Sequence, residues 1–409
     1  MTIVDADCST VHLRQDLLVV KIAFYSDNFY PELSGISDAL LSLTRELARR
    51  GHNILCCVPR YSGGDYSLYD GIDHAGRVSP PVAVRRLPSV PIPTGTKQGR
   101  LVLPVGWSLH AMKQFMPDVI HANGILGTGV EALLASWVHS VPLVATNHTP
   151  VSEFLFYVPI QFPALGRFVD MYNCWFHNRC RFVSSPSAQV FAAMRHFRTD
   201  VPHAVMSNPV ETETFVPVAN KAGLKSKYNL GEFALLYAGR LAEEKHVDTI
   251  LQALPAIRHA GGNVTLTIIG VGSATDKLRD ITAKLGLGDV VQFLGFIASK
   301  TELAEIYGAS DLFVMMSTAE SQCLAAMQSL SCGVPVVAAR AWGLAEYIVP
   351  EVGVLVDPGN TEELGEQIVS LRKNPDLLEQ LGRRGREYVE AWRVTRIADA
   401  WEQVYAAVT

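Results

Sequence analysis

The sequence predicts an α/β protein of two doubly wound, Rossmann-like domains facing a cleft. Three observations carry that prediction. Short β-branched runs alternate with amphipathic helical stretches, which is the signature of strand–helix–strand units. The alternation stops near the middle of the chain and then restarts. Finally, 409 residues with 48% hydrophobic content exceed what one core of ordinary size uses and suffice for two.

Taken in order, "LLVVKIAFY" (17–25) predicts a buried strand, followed by the turn "PELSGIS" and a helix over 39–50. Then come "HNILCCVP", "PVAVRRL", "DVIHA", a helix over 129–138 and "VPLVATN". These strands read as continuous apolar runs, as parallel strands covered on both faces do. Residues 80–104 are rich in Pro and Gly, lack a periodic stripe and predict a long loop near the active face. Periodicity fades in the polar stretch 208–231. It resumes with "FALLYAG", a helix over 247–259, "NVTLTIIG", a helix over 274–285 and "VVQFLG". A helix over 302–308, "DLFVMM", a helix over 322–332, "VPVVAA" and terminal helices from 360 complete the chain. The predicted domains are 1–205 and 206–392, with a last helix over 393–409 packing back on the first.

Composition removes several function classes. Lys and Arg number 35 against 40 Asp and Glu, a net charge of -5, whereas a nucleic-acid binder is ordinarily basic. Residues 1–205 hold 17 basic and 15 acidic residues and the remainder 18 and 25, so the first half is slightly basic and the second acidic. Seven cysteines without a C-x-x-C pair predict reduced thiols in a reducing compartment. The acidic N-terminus lacks the apolar core of a signal peptide, and no run reaches the ~18 apolar residues of a membrane span. The expected location is cytoplasmic. There is no G-x-x-x-x-G-K-[ST] loop, H-E-x-x-H helix or G-x-S-x-G elbow. "GVGSAT", beginning at Gly270, lacks the third glycine of a dinucleotide fingerprint, and no carboxylate cluster predicts a metal.

Doubly wound sheets bind ligands just after their strands, and the candidate site residues lie there. Arg240 and Lys245 follow the strand ending at Gly239, where two cations beside helix amides suit a diphosphate. Spacing alone fits a pair of solvated charges near Glu243 and Glu244 better. Gly35 lies in the first strand-to-helix turn, where it permits close approach to a phosphate or forms an ordinary left-handed turn. Glu320 precedes Gln328 by eight residues, about two helical turns, so both would face one ligand or simply solvent. His148 and His121 each follow a strand, in positions that suit a ligand site or a structural histidine.

In order and spacing these segments resemble the retaining glycosyltransferases of GT-B fold, specifically glycosyltransferase family 4. The strings that carry the likeness include "FYSDNFYPELSGISDALLSLTRELARRGHNI", "PDVIHAN", "VPLVATNHT", "AGRLAEEKHVDTILQAL", "VQFLGFI", "LAEIYGASDLFVMMSTAES" and "SCGVPVVAARAWGLAEYI". The resemblance implies that Arg240 and Lys245 clamp the donor diphosphate and that Glu320 holds donor-sugar hydroxyls. It implies that His148 sits beside the reacting sugar, that Gly35 approaches the phosphate, and that Phe296 and Ile297 cradle the nucleobase. Gly239, Gly270, Ser321, Gln322, Cys323 and Leu324 fall in the same donor-binding segments.

Two departures stand out. The second acid of the family's E-x7-E motif, which takes the ribose, is Gln328, and the usual aromatic–glycine pair is Gln322–Cys323. The resemblance therefore implies transfer of a hexose from a nucleotide-diphosphate sugar, UDP favoured over GDP, to a lipid or glycan hydroxyl. No metal or cofactor is expected. The departures leave a second reading open, a degenerate nucleotide-sugar-binding or interaction protein of the same fold. The stretch "NHTPVSEFLFYVPIQFPALGRFVDMYNCW" is closest to lipid-directed members such as diacylglycerol glucosyltransferases and sulfoquinovosyltransferases. Two readings stand for it: peripheral membrane contact on the inner face of the cell membrane, or interior packing of the first domain.

Overall fold

The computed structural model describes residues 19–32, 34–69, 82–92, 98–148, 163–260 and 263–409. The chain divides into two compact units. One holds the described part of Met1–Thr94 with Gln98–Asn208 and Thr395–Thr409; the other is essentially Pro209–Val394.

The first unit is built on β1 (Lys21–Tyr25), β2 (Asn53–Pro59), β3 (Val82–Leu87), the hairpin β4 (Ser89–Pro91) and β5 (Arg100–Val102), β6 (Val119–Ala122), β7 (Leu143–Thr146), β8 (Phe182–Ser185) and β9 (His203–Val205). Seven of these form a parallel sheet in the order β3-β2-β1-β6-β7-β8-β9. Strand order reverses beside β1, the place where doubly wound sheets bind ligands. The helices are α1 (Gly35–Arg49), α2 (Leu109–Phe115), α3 (Gly127–His139), α4 (Pro163–His177) and α5 (Ala188–Ala193). Ser34 caps α1 through its hydroxyl, which accepts from the Ser37 amide, and the buried face of the helix carries Leu40, Leu43 and Leu47. Ala23, Ile120, Ala145, Val183 and Phe176 meet in the core between the sheet and α3–α4.

The second unit contains α6 (Lys221–Lys227), β10 (Phe233–Ala238), α7 (Val247–His259), β11 (Val264–Ile269), α8 (Thr275–Lys284), β12 (Val291–Gly295), α9 (Lys300–Ala309) and β13 (Leu312–Met315). These are followed by α10 (Leu324–Ser331), β14 (Val336–Ala339), α11 (Trp342–Tyr347), β15 (Gly353–Val356), α12 (Thr361–Arg372) and α13 (Pro375–Val389). Its six strands are all parallel in the order β12-β11-β10-β13-β14-β15. Every residue of β10, β13 and β14 is buried, which explains their uninterrupted apolar spelling.

A last helix, α14 (Val394–Val408), belongs to the first unit. Arg50 binds Asp399 at 2.6 Å and Glu402 at 2.7 Å, His52 meets Glu402 at 2.8 Å, and Trp401 packs on His121. Two readings of the sequence are corrected here. The stretch 80–104 is not one long loop: β3 joins the main sheet and β4–β5 form an antiparallel hairpin, because Val82–Leu87 pair residue by residue with Ile54–Pro59, and Ser89–Pro91 with Arg100–Val102, despite the prolines. Residues 322 and 323 precede the helix predicted over 322–332, which runs from Leu324 to Ser331.

Candidate functional site

In the second unit the residues picked out by sequence gather at the carboxyl ends of β10, β11, β12 and β13. Backbone bonds extend the sheet into the loops there: the Gly239 amide donates to the Ile269 carbonyl and the Gly270 amide to the Gly295 carbonyl. Gly270 is required by that closeness. It has φ of +128° and a Cβ would stand 1.9 Å from the Gly239 carbonyl oxygen. Tyr237 donates its hydroxyl to the Arg240 carbonyl at 2.8 Å, fixing the turn that carries the cation.

Arg240 and Lys245 are not solvated surface charges. Arg240 pairs with Glu244 at 3.1 Å. Lys245, in a 3-10 turn ahead of α7, donates to Glu320 at 2.7 Å, and both side chains are nearly buried. The Glu244 carbonyl accepts from the Thr318 amide, so the cation loop and the loop after β13 are held as one piece.

That second loop corrects the idea that Glu320 and Gln328 lie two turns apart on one helix. Ser317 and Ala319 form a side-chain-bonded turn, and Glu320 sits in extended loop whose carbonyl accepts from Gly343. Cys323 then adopts φ of +65° immediately before α10, so only Gln328 is helical. Gln322 and Cys323 are buried; Ser321, Leu324 and Gln328 are half-buried. A Cβ on Gly343 would meet the Ser321 carbonyl at 2.0 Å, which keeps this loop against α11. Phe296 and Ile297 are half-buried and follow β12.

In the first unit, polar side chains follow three adjacent strands. Gly35 is the first residue of α1 and not a left-handed turn. Asp27, after β1, accepts from the Leu126 and Thr128 amides and the Thr128 hydroxyl at 2.9–3.0 Å, capping α3. Burial holds its pKa above the usual carboxylate range. After β7, His148 meets Asn123 Oδ1 through Nε2 at 2.9 Å. With a carbonyl as partner, Nε2 carries the proton and Nδ1 offers a lone pair. Burial pushes the imidazole down to about 4, so it is neutral near pH 7. His148 Nδ1 and Asn123 Nδ2 are buried without partners among the described residues, a paired acceptor and donor of the kind a ligand satisfies. His121 is structural: its two ring nitrogens meet Tyr405 and Thr146, both at 2.8 Å. Much of the aromatic stretch after His148, residues 149–162, lies outside the described residues.

The profile described as "Glycosyl transferases group 1" matches residues 223–388, and "Glycosyltransferase Family 4" matches 33–214. A D-inositol 3-phosphate glycosyltransferase from Pseudarthrobacter chlorophenolicus is 30% identical over 302 residues, 71% of each chain. This chain is a family 4 glycosyltransferase. A GDP-mannose-dependent alpha-mannosyltransferase from Mycobacterium tuberculosis is 28% identical over 94% of each chain. An alpha-monoglucosyldiacylglycerol synthase from Streptococcus pneumoniae is 26% identical over 78% of this chain and 71% of its own. The crystal structure of Anabaena Alr3699/HepE in complex with UDP-glucose superposes with a TM-score of 0.75 at 20% identity, covering 95% of this chain and all of that one. Its likeness identifies the GT-B fold.

The sequence shows Glu244 only as a neighbour of the two cations and does not single it out as the ion-pair partner of Arg240, nor Asn123 as the partner of His148. Their signal was present in their neighbours: Glu244 immediately precedes Lys245, and Asn123 follows β6 in "IHAN".

Proposed function

We propose that the glycosyltransferase moves a hexose from a nucleotide-diphosphate sugar, UDP before GDP, to a lipid or glycan hydroxyl with retention at the anomeric carbon. The observation that carries this reading is the Lys245–Glu320 pair at 2.7 Å beside Arg240, at the carboxyl ends of β10 and β13. An ammonium has three donors, so Lys245 can keep Glu320 while giving another proton to a phosphate oxygen. Glu320 retains an acceptor oxygen for a sugar hydroxyl, and Arg240 supplies a second, forked cation. Together they stabilise the leaving diphosphate as negative charge builds on it, a role that needs no metal ion in this scheme. Phe296 and Ile297 border the nucleobase, Gln328 the ribose, and Ser321 to Leu324 the sugar. Gly239, Gly270 and Gly35 let backbone come close to the phosphates.

In the reaction, the acceptor oxygen bonds to the anomeric carbon on the face that the phosphate leaves. The bond to phosphate breaks, and the acceptor proton passes to the departing phosphate oxygen. Neutral His148, whose buried Nδ1 has no partner among the described residues, orients a sugar hydroxyl. A lipid acceptor is supported by the diacylglycerol-glucosylating relative.

A panel of UDP- and GDP-sugars, with product detection against lipid and glycan extracts, tests the reading. Incorporation from at least one donor is expected, abolished in Arg240→Ala and Lys245→Ala. Donor binding without incorporation from any member would instead identify a degenerate binding protein.

A further inference from the structure

We propose that Tyr405, on the last helix, is a positioning residue for sugar transfer: acting through His121, it holds the Asn123–His148 pair in the orientation that meets the sugar. The inference rests on the role proposed above for His148 and adds to it a residue from the far end of the chain.

Strands β6 and β7 are parallel neighbours, and each sends two polar side chains to one face of the sheet. His121 and Thr146 form a lower rung, Nε2 to Oγ1 at 2.8 Å. Asn123 and His148, each two residues further along, form an upper rung at 2.9 Å. The period of two persists past the strand ends. There the Asn123 amide donates to the Tyr25 carbonyl at 2.7 Å and the Asn147 amide to the Ser184 carbonyl at 2.8 Å. Whatever fixes the spacing of β6 and β7 at the lower rung therefore fixes it one repeat later at the upper.

Tyr405 fixes the lower rung. Its buried hydroxyl meets His121 Nδ1 at 2.8 Å. A phenol has a single proton and, buried against a ring nitrogen, gives it to that nitrogen. His121 Nδ1 therefore accepts, and Nε2 carries the ring proton and donates to Thr146. Thr146 in turn donates to Ser184 Oγ at 2.8 Å. One direction of hydrogen bonding thus runs from α14 across β6 and β7 to β8. Burial supports it by keeping His121 neutral, well below the ordinary histidine range. Rotation of the ring is blocked, since Trp401 stands 4.2 Å from it and Phe24 5.0 Å, centre to centre. Trp401 and Tyr405 lie one helical turn apart and stack at 5.5 Å, so α14 presents them to His121 as one surface. The helix itself is tied down through Asp399 and Glu402 by Arg50 and His52.

The test begins with Tyr405→Phe, which keeps the ring and removes the hydroxyl, and it needs no substrate. Nuclear magnetic resonance on histidine-labelled protein reads the exchange of the His148 Nε2 proton with solvent. Exchange should be at least about tenfold faster in the variant, the size of effect that one buried hydrogen bond carries. The His177 Nδ1 proton, given to the Asn173 carbonyl at 2.8 Å in the same unit, is the control and should keep its rate. Thr146→Val breaks the chain at its other end and should reproduce the result. Equal acceleration at His148 and His177 would mean general loosening, and no acceleration at His148 would mean no link; either overturns the proposal. In turnover, Tyr405→Phe should lower kcat about tenfold while calorimetry shows unchanged affinity for UDP. Added to His148→Ala, it should lower kcat further by less than about twofold, because residues that act through one another do not add. Full additivity would also overturn the proposal. If no form of the protein transfers sugar while proton exchange follows this pattern, the proposed reaction fails and the coupling of Tyr405 to His148 stands.

Discussion

At the scale of single residues, the proposed donor site rests on few charges. Lys245 is nearly buried and tied to Glu320, so Lys245→Ala removes a charge-assisted bond and strands a carboxylate. Such bonds are worth ~1.5–3 kcal/mol, which predicts about 10- to 100-fold weaker nucleoside diphosphate binding by calorimetry. Gln328 offers a neutral carbonyl where an acid would offer a charged acceptor. Gln328→Glu is therefore expected to tighten the donor about tenfold, and an unchanged affinity would remove this residue from the ribose site. Arg240 and Lys245 were visible in the sequence as cations behind a strand. Their pairings were not, since the Lys245–Glu320 contact joins residues 75 positions apart and follows only from the pairing of β10 with β13.

At the scale of elements, the short loops at the strand ends decide which side chains converge. The eight-residue spacing of Glu320 and Gln328 imitates two helical turns, yet the chain breaks the helix at Cys323, a non-glycine residue at φ of +65°. A left-handed conformation is costlier still for a β-branched residue, so Cys323→Val should destabilise the protein by about 1–2 kcal/mol in denaturant unfolding. Equal stability would mean that the loop relaxes readily and does not hold Glu320. Parallel strands were legible because burial on both faces spells them as unbroken apolar runs, as in "FALLYA". The hairpin β4–β5 was hidden by its prolines and by short strands that carry no repeat. Helices of six residues, α5 and α11, are too short to show a periodic stripe.

At the scale of the whole molecule, buried histidines tie stability to pH. Burial pushes His177 down to about 4, as it does His148, against about 6.5 in an unfolded chain. Between these values the unfolded chain binds a proton that the folded one refuses. Stability is full above about pH 6.5 and falls as pH drops toward 4, by roughly 3 kcal/mol for a fully buried histidine. His177→Leu should therefore show a smaller decline in melting temperature across that interval, and an equal decline would assign the acid sensitivity elsewhere. The net charge of -5 conceals the basic segment 163–200 just as it conceals the two cations of the proposed donor site, so composition alone indicated neither. The central proposal for the molecule is transfer with retention. It is tested most directly by the anomeric coupling constant of the product formed from an α-linked nucleotide sugar, read by nuclear magnetic resonance. An α-linked product is predicted; a β-linked product would contradict the account.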